Sequence, residues 1–577
     1  MHRRVFFLAA LLAAAALPLA AQHAATMSPA AQPPAQPFDV VILHGHIIDG
    51  TGSPWYSGDI GIRSGRIAAI GNLAHAPARR IIDAHGEVVA PGFIDMLGQS
   101  ELSILVDPRL PSKIYQGITT EITGEGNSVA PLNDAMIAAN HDAYAEYHLT
   151  PTWRTLRQYF ARLQKQGMGI NMATFVGATS VRRMVLGDAD VQPTPAQLAQ
   201  MQALVRSAMR DGAVGLSTAL QYAPAPYATT HELIALASAA SPYGGIYATH
   251  MRSEGDQVLE SIDEAATIGR QAHIPVEIWH IKAAGKRNFG KMPQIVAKID
   301  NYRAQGIDIS ANTYAYTAWA NTFSAFIPPW AHAGGDQQLL ARLADPAARA
   351  RIRRDLLAPG PDSAGETWDN EWQEIPGPAS VLITDVQNPD LRPYQGLRLS
   401  EVAERWHEDP IDALCDFLIK DKAFTEVAVF AMSEPDVELA LKQPWVSIDN
   451  DYEGLSLTGI LGRGHPHPRA YGTFPRILRK YVRQQHLLTL ADAIRKFSAL
   501  PAQRMRLTDR GVLKKGMWAD VVVFNPGTIT DKATYADPAQ LSVGMDYVLV
   551  NGVPVISQGK MTGALPGHVL LGPGYVP

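Results

Sequence analysis

The feature that most constrains the fold of this chain is an alternation of short apolar runs with longer amphipathic stretches along its middle. INMATFVG is followed by PAQLAQMQALVRSAMRDG, and GGIYATH by QVLESIDEAATIGRQA, the pattern of a β-strand and the helix after it. Strand-like runs occur near Phe93, Ile118, Met172, Val214, Ile246, Val276, Ile309, Val427 and Val446. A parallel (β/α)8 barrel needs one fewer. We therefore predict an α/β fold with a TIM-like barrel over residues 91–500 and the run near Val427 outside it.

Both ends of the folded part have a different pattern, in which short strands are punctuated by glycine. FDVVILHGHIIDG and GDIGIRSGRIAAIG lie near the N-terminal end, and YVLVNGVPVISQGK, with its VNGV hairpin signal, lies near the C-terminal end. We expect residues 38–90 and 501–577 to form one small β-sandwich. Residues from about 331 to 410 break the strand–helix rhythm with proline, glycine and charge, and are predicted to form an insertion on the barrel rim, where a binding lid would sit.

The N-terminus has the pattern of a targeting segment. Arg3 and Arg4 precede an apolar run over residues 5–19 that ends among alanines. We predict a signal peptide over residues 1–22, a Pro/Ala linker over residues 23–37, and an exported protein, periplasmic or secreted, with no stable membrane insertion after cleavage. The apolar run is shorter than the roughly 20 residues of a membrane span, so a retained anchor is the second interpretation.

Composition excludes several classes of site. The chain of 577 residues carries 50 Lys and Arg against 55 Asp and Glu, a net charge of -5, so no global positive field would attract nucleic acid. Its single cysteine, Cys415, excludes an intrachain disulfide and every multi-cysteine metal site, and is interpreted as a buried apolar residue. Any metal must be bound by histidines and carboxylates.

Polar residues follow four of the predicted barrel strands, at the end where barrel enzymes carry their chemistry. ITTEIT runs into Glu125, IYAT into His250, VEIW into His280, and WVSI into Asp449-Asn450-Asp451. Two imidazoles and one carboxylate leave an open position on a zinc ion, which is typical of catalytic sites. The remaining carboxylate then serves as general acid and base.

Each of these residues also has a structural interpretation. Glu125 lies between two glycines and could be a solvent-facing turn residue, and the two aspartates could cap a turn after the strand. We favour Asp451 over Asp449 as the catalytic residue. His465 and His467 have ligand-like spacing, but the Gly and Pro around them favour a loop.

Long motifs carry a resemblance to a known family. They are APGFID, QGITTEITGEGNSVAPL, GLSTALQYAP, ATHMRSEGD, WHIKAAGKRNFGK, NTYAYTA, PHPRAYGTFPR and LPAQRMRLTDRGVLKKGMWADVVVFNP. Together they resemble the N-acyl-D-amino-acid deacylase (D-aminoacylase) branch of the amidohydrolase superfamily, over nearly the whole chain after Phe38. The resemblance implies a metal-bearing barrel, a β-sandwich built from both chain ends, and hydrolysis of a small N-acyl-D-amino acid to a carboxylate and a free D-amino acid.

The resemblance also implies roles for individual residues. These are metal binding by His250 and His280, contact with the substrate carboxylate by Lys282 and Arg469, lining of the pocket by Tyr222 and Tyr314, and acid–base catalysis by Asp451. A cationic lysine and a planar arginine fork suit a carboxylate.

Two departures from the family pattern concern the metal. Leu97 and Gln99 stand where amidohydrolases carry His-X-His, which makes a second metal doubtful. Gly124-Glu125-Gly126 stands where D-aminoacylases have a metal-binding cysteine. We therefore predict one Zn2+ per chain, bound by Glu125, His250 and His280.

Two other functions are compatible with the sequence. The first is a peptidase or cyclic-amide hydrolase that acts on D-residue or unusual dipeptide substrates with the same centre. The second is a catalytically dead barrel that only binds ligands, which the loss of His-X-His suggests. The retained His250, His280, Lys282 and Asp451 favour an enzyme.

Overall fold

The computed structural model describes residues 36–358 and 368–577. The predicted signal peptide, and the linker up to residue 35, lie outside the described residues. Among those that are described, no helix has the length and apolar character needed to cross a membrane.

The described residues contain β-strands from one end of the chain to the other. In chain order they are β1 Phe38–Ile47, β2 Tyr56–Arg63, β3 Arg66–Gly71, β4 Ala78–Asp83, β5 Val88–Pro91, β6 Phe93–Asp95, β7 Ile118–Thr123, β8 Asn171–Thr174, β9 Val176–Gly177, β10 Gly215–Ala219, β11 Ile246–His250, β12 Val276–Ile278, β13 Ile309–Thr313, β14 Trp319–Thr322, β15 Val381–Asp385, β16 Glu426–Val429, β17 Val446–Ile448, β18 Val521–Phe524, β19 Met545–Val550, β20 Val553–Ser557 and β21 Lys560–Met561.

The α-helices lie mainly between the strands of the middle part. In chain order they are α1 Ser103–Val106, α2 Pro111–Ile114, α3 Asp134–Ala139, α4 His141–Glu146, α5 Leu156–Gln166, α6 Ala178–Leu186, α7 Pro195–Asp211, α8 Thr230–Ala240, α9 Val258–Ala272, α10 Met292–Ala304, α11 Pro329–His332, α12 Asp336–Ala344, α13 Pro346–Leu357, α14 Glu371–Glu374, α15 Leu399–Trp406, α16 Pro410–Lys420, α17 Glu434–Lys442, α18 Arg469–Arg476, α19 Leu490–Phe497 and α20 Ala499–Arg504. A π-helical segment, Ile477–Gln484, continues α18.

Local sequence explains where these helices begin and end. Helix α7 begins after Thr194, whose side chain forms a capping box with Gln197, and has Pro195 in its first turn. It ends at Gly212, which adopts a left-handed conformation with φ of 112°.

Strands from both chain ends pair in one nine-stranded sheet, in the order β21-β20-β19-β18-β5-β1-β2-β3, with β4 on β1. The two ends meet where β5 pairs antiparallel with β18. Successive side chains of a strand point to opposite faces. Val521 and Val523 accordingly pack in the core of the β domain, whereas Val522 and Phe524 pack against the barrel. The prediction of a β domain built from both ends is confirmed.

Eight parallel strand positions form the barrel. One sheet runs β17-β13-β12-β11-β10-β9 and another runs β6-β7-β8, and only Phe175 separates β8 from β9. At the other seam the Met96 amide donates to the Ile448 carbonyl at 3.3 Å, and Gly98 bridges to Tyr452. The strands therefore close on themselves, which confirms the predicted (β/α)8 fold.

The ninth strand-like run lies outside the barrel, as predicted. Val427 belongs to β16, which pairs antiparallel with both β14 and β15 in a separate three-stranded sheet. This sheet belongs to an excursion of the chain away from the barrel. The excursion begins before the predicted rim insertion of residues 331–410, because β14, at Trp319–Thr322, is one of the strands of the sheet. This pairing joins residues about one hundred positions apart, which local composition cannot reveal.

A buried ion cluster fixes the turns that carry the site. The Lys113 ammonium on α2 donates to Asp95 at 2.8 Å and to the Tyr452 carbonyl at 2.7 Å, and lies 3.3 Å from Glu121. Asp95 in turn accepts from the Asn450 amide at 2.8 Å. The cluster thus joins the end of β6 to the loop after β17.

Candidate metal centre

A cavity of about 700 Å³ opens at the carboxyl ends of the barrel strands. Glu125, His250 and His280 line it, and their ligand atoms all lie within 4.8 Å of one another. One oxygen of Glu125, Oε1, lies 3.0 Å from Nδ1 of His250 and 3.1 Å from Nε2 of His280. The structure therefore brings together the three predicted ligands, and this donor set of two imidazoles and a carboxylate suits zinc.

The second ring nitrogen of each histidine has a partner of its own. Nε2 of His250 lies 2.8 Å from the Gln221 amide oxygen. Nδ1 of His280 lies 2.9 Å from Glu254 and 2.8 Å from the Lys282 ammonium. A proton on Nδ1 shared with Glu254 leaves Nε2 of His280 free for a metal, as is usual for metal-binding histidines.

Charge at the centre favours a bound cation. Burial raises the pKa of Glu125, but its hydrogen bonds with His250 and His280 outweigh burial and lower that pKa. Burial and Lys282 lower the pKa of His280, but the surrounding carboxylates outweigh them and raise it to about 10. The carboxylates that raise the pKa of His280 carry the negative charge that a divalent metal would offset.

Asp451 faces the same cavity from the loop after β17. Gln99 donates to Oδ1 of Asp451 at 3.1 Å and to Oε2 of Glu125 at 2.9 Å, so one amide joins the two carboxylates. Oδ2 of Asp451 lies 2.9 Å from Arg469. Burial raises the pKa of Asp451, which Arg469 only partly offsets. A carboxylate held at the cavity with a raised pKa suits a general acid and base.

Asp449, the other candidate, has a different environment. Its side chain is fully buried, and neither carboxylate oxygen has a hydrogen-bond partner among the described residues. Burial and the neighbouring Asp451 raise its pKa well above the usual value. It is absent from the described residues that line the cavity, so the geometry favours Asp451.

The four predicted substrate-binding residues all line the cavity. The Tyr222 ring packs edge-on against His250 at 4.9 Å between ring centres. Tyr314 lies under both cations, with Arg469 4.8 Å and Lys282 5.7 Å from its ring centre. Lys282 already donates to both oxygens of Glu254 at 2.7 Å, whereas Nε of Arg469 has no hydrogen-bond partner among the described residues.

Four further residues do not line the described cavity. Leu97 is fully buried in an apolar cluster that includes Trp279 and offers no ligand atom. His465 and His467 lie elsewhere, in contact with Tyr535. Cys415 is buried, as predicted, and burial raises its pKa to about 12.

Sequence reasoning missed several residues at the site. Gln221 and Glu254 hold the ligand histidines, and a further group, Asp369, Glu371 and Glu374, lines the cavity from the excursion. The first two lie within the motifs GLSTALQYAP and ATHMRSEGD, so motif membership was an available signal. The acidic group follows no strand of the barrel and had no such signal.

Comparison with known proteins identifies relatives along nearly the whole chain. A family model described as Amidohydrolase family matches residues 460–556. An N-acyl-D-glutamate deacylase of Alcaligenes xylosoxydans xylosoxydans is 34% identical over 539 residues, 92% of this chain and 96% of that protein.

Solved structures give the same picture. An N-acyl-D-glutamate deacylase from Bordetella bronchiseptica, in complex with zinc and a phosphonate mimic of the tetrahedral intermediate, is 33% identical, with a TM-score of 0.77 over 93% of this chain and 100% of that one. A D-aminoacylase with a binuclear metal centre, described as activated by one metal and attenuated by a second, is 32% identical with a TM-score of 0.77 and the same coverage.

Proposed function

Because this chain belongs to the amidohydrolase family, within its branch of metal-dependent N-acyl-D-amino-acid deacylases, we propose that it hydrolyses N-acyl-D-amino acids to a carboxylate and a free D-amino acid with one bound zinc ion. The observation that carries the proposal is the position of Glu125 Oε1 within 3.1 Å of a nitrogen from each of two histidines. This set lies in a cavity at the strand ends, where barrel enzymes carry their chemistry.

Each residue of the site has a part in this reaction. A bound zinc ion would polarise the scissile carbonyl and make a water molecule acidic. Asp451 accepts the proton of the attacking water and delivers it to the departing amine nitrogen. Gln99 and Arg469 hold the two oxygens of Asp451, so its orientation is set before substrate binds.

The residues beside Glu125 support the proposed stoichiometry of one metal. Gln99 donates to the second oxygen, Oε2, and an amide nitrogen carries no lone pair for a metal. Leu97 offers no ligand atom. Glu125 is therefore a ligand through Oε1 alone. The one-metal activation described for the D-aminoacylase structure supports this proposal.

Arg469 and Lys282 are proposed to hold the carboxylate of the substrate. Nε of Arg469 is a buried donor with no described partner, which an anionic substrate would satisfy. Lys282 would exchange one of its contacts with Glu254 or His280 for the substrate.

Release of free amine from matched N-acetyl-D- and N-acetyl-L-amino acids tests the function. We expect the zinc-loaded protein to release amine from the D-series, and chelation to abolish this release until zinc is restored. Release from the L-series alone, or release that survives complete removal of metal, would refute the proposal.

We further propose that the chain is exported, on the evidence of Arg3, Arg4 and the apolar run over residues 5–19. N-terminal sequencing of the protein recovered from periplasm and medium should show a start near residue 23. Recovery of uncleaved chain in the cytoplasm alone would contradict export.

A further inference from the structure

The cavity is acidic beyond what its metal centre requires. More than twice as many carboxyl groups as Lys and Arg side chains line it. Each of these cations already has a carboxylate partner: Arg183 pairs with Asp188 at 2.7 Å, Arg252 with Glu264 at 2.9 Å, Lys282 with Glu254 at 2.7 Å and Arg469 with Asp451 at 2.9 Å. The other carboxyl groups that line the cavity form no ion pair with these four cations.

Glu374, at the end of α14, shows this most clearly. Its side chain lines the cavity and the residue is only 2% exposed, yet Oε1 has no hydrogen-bond partner among the described residues. Arg287, a cation that acts on it, is itself paired with Asp256. Burial raises the pKa of Glu374 well above its usual value, so the free protein holds a neutral carboxyl group whose Oε1 has no partner, which costs free energy.

The fold makes room for this side chain. A Cβ atom added at Gly255 would lie 1.6 Å from Oε1 of Glu374, and one added at Gly285 would lie 2.7 Å from its Cβ. Gly285 also has a φ of 88°, which favours glycine. The backbone at Gly255 and at Gly285 therefore lies so close to Glu374 that neither position has room for a residue larger than glycine.

Glu371 lies one helical turn before Glu374, and a glutamine side chain links it to the candidate metal centre. Gln221 and Asn321 donate to its Oε1 at 2.8 and 2.6 Å, and neither amide brings a charge. The oxygen of the Gln221 amide lies 2.8 Å from His250. One glutamine side chain, Gln221, therefore links Glu371 to His250.

We propose that Glu371 and Glu374 form a subsite for a positively charged nitrogen of the substrate, so that the enzyme prefers amides that carry an ammonium group. This inference rests on the proposed function and narrows its substrate class. The ammonium can belong to the side chain of the D-amino acid or to an aminoacyl group in place of a simple acyl group. Burial raises the pKa of both carboxyl groups, so an entering ammonium group would cause them to release their protons to solvent and would then donate charge-assisted hydrogen bonds to the carboxylates.

Two pairs of nearly isosteric substrates separate these sources. N-acetyl-D-lysine is compared with N-acetyl-D-norleucine, and glycyl-D-norleucine with N-propionyl-D-norleucine, using the zinc-loaded full-length mature protein. We expect kcat/KM to favour the cationic member of one pair by at least about tenfold. Ratios near one in both pairs would overturn the subsite.

Variants locate the effect. Glu374→Gln and Glu371→Gln should each reduce the preference toward one, with the metal content unchanged. Glu453→Gln is the matched control, because Glu453 lines the same cavity but already accepts hydrogen bonds from Tyr147 at 3.1 and 3.2 Å. The preference should survive in this control. A preference that persists in both test variants, or that only the control removes, would refute the assignment.

Calorimetric binding of D-lysine and D-norleucine separates failure of this inference from failure of the deacylase proposal. If none of the four amides is cleaved, the deacylase proposal fails. The subsite is then supported by tighter binding of D-lysine than of D-norleucine, or of glycyl-D-norleucine than of N-propionyl-D-norleucine, that Glu374→Gln abolishes, and is refuted by equal binding within both comparisons.

Discussion

Glu125 is the residue on which the proposed metal binding depends most, because it is the only carboxylate among the three described ligand candidates. Removing one of three protein ligands leaves two imidazoles, which hold zinc weakly. We expect Glu125→Ala to lose most of its zinc on dialysis, and its activity with it, as measured by elemental analysis and amine release. Glu453→Gln, in the same cavity, should keep its metal. Full metal content and activity in Glu125→Ala would contradict the assignment.

Asp451 should be required for turnover and not for metal binding. Asp451→Asn keeps the hydrogen-bonding shape but cannot accept the proton of the water, so we expect kcat to fall by about 10² to 10⁴ with zinc retained. The neighbouring Asp449→Asn is the comparison, since Asp449 does not line the described cavity. If Asp449→Asn loses turnover and Asp451→Asn keeps it, the two roles are reversed.

At the scale of single residues, the sequence indicated a candidate site residue where that residue stands at or just after the end of a barrel strand. Glu125, His250 and His280 could be predicted because parallel strands bring their carboxyl ends to one edge. Gln221 and Glu254 contact these histidines between different βα loops, and only their membership of the motifs GLSTALQYAP and ATHMRSEGD could have indicated them. Gln99 was noticed only as a missing histidine, although it joins Glu125 to Asp451.

Helix α2 contributes the buried ammonium that fixes two loops of the site. Lys113 and its partners Asp95 and Glu121 are fully buried, so Lys113→Met would leave two carboxyl groups without a counter-charge. We expect a loss of about 3–5 kcal/mol in unfolding free energy, measured by chemical denaturation. Lys515→Met, at an exposed position, should change it by less than about 0.5 kcal/mol. A near-neutral Lys113→Met would contradict the role of this cluster.

Helix α14 should make stability depend on pH. Burial raises the pKa of Glu371 to about 8 from its ordinary 4.5. Between these values the unfolded carboxyl is ionised and the folded one is protonated, so this group favours unfolding increasingly as pH rises. The thermal midpoint of Glu371→Gln minus that of the wild type should grow from about pH 4.5 to pH 8 and then level off. A difference that shrinks over this range would contradict the shift.

The elements were predictable where periodicity is local and long. The barrel strands and their helices follow this rule, whereas the pairing of the two chain ends was expected from their shared strand pattern and from the family resemblance. Strand β14 was missed because Trp319–Thr322 has little apolar pattern of its own and is a strand only through its pairing with β16. The sequence therefore contained no sign that this strand pairs outside the predicted insertion of residues 331–410, which contains Glu371 and Glu374.

At the scale of the whole molecule, net charge gives little indication of the site. The chain carries a net charge of only -5, yet the described cavity gathers carboxyl groups around the candidate metal centre. The barrel places the ligands, the excursion supplies an acidic wall, and the β domain packs against the barrel through strands from both chain ends. Function at this scale depends on which loops meet above the barrel, which composition cannot show.

Titration of the metal-free protein with zinc, while release of a D-amino acid from its N-acetyl derivative is followed, tests the central claim most directly. A single site made by Glu125, His250 and His280 predicts no activity without metal and a linear rise that reaches its maximum at one equivalent of zinc per chain. Activity that needs a second equivalent, or that is present before any metal is added, would contradict the account.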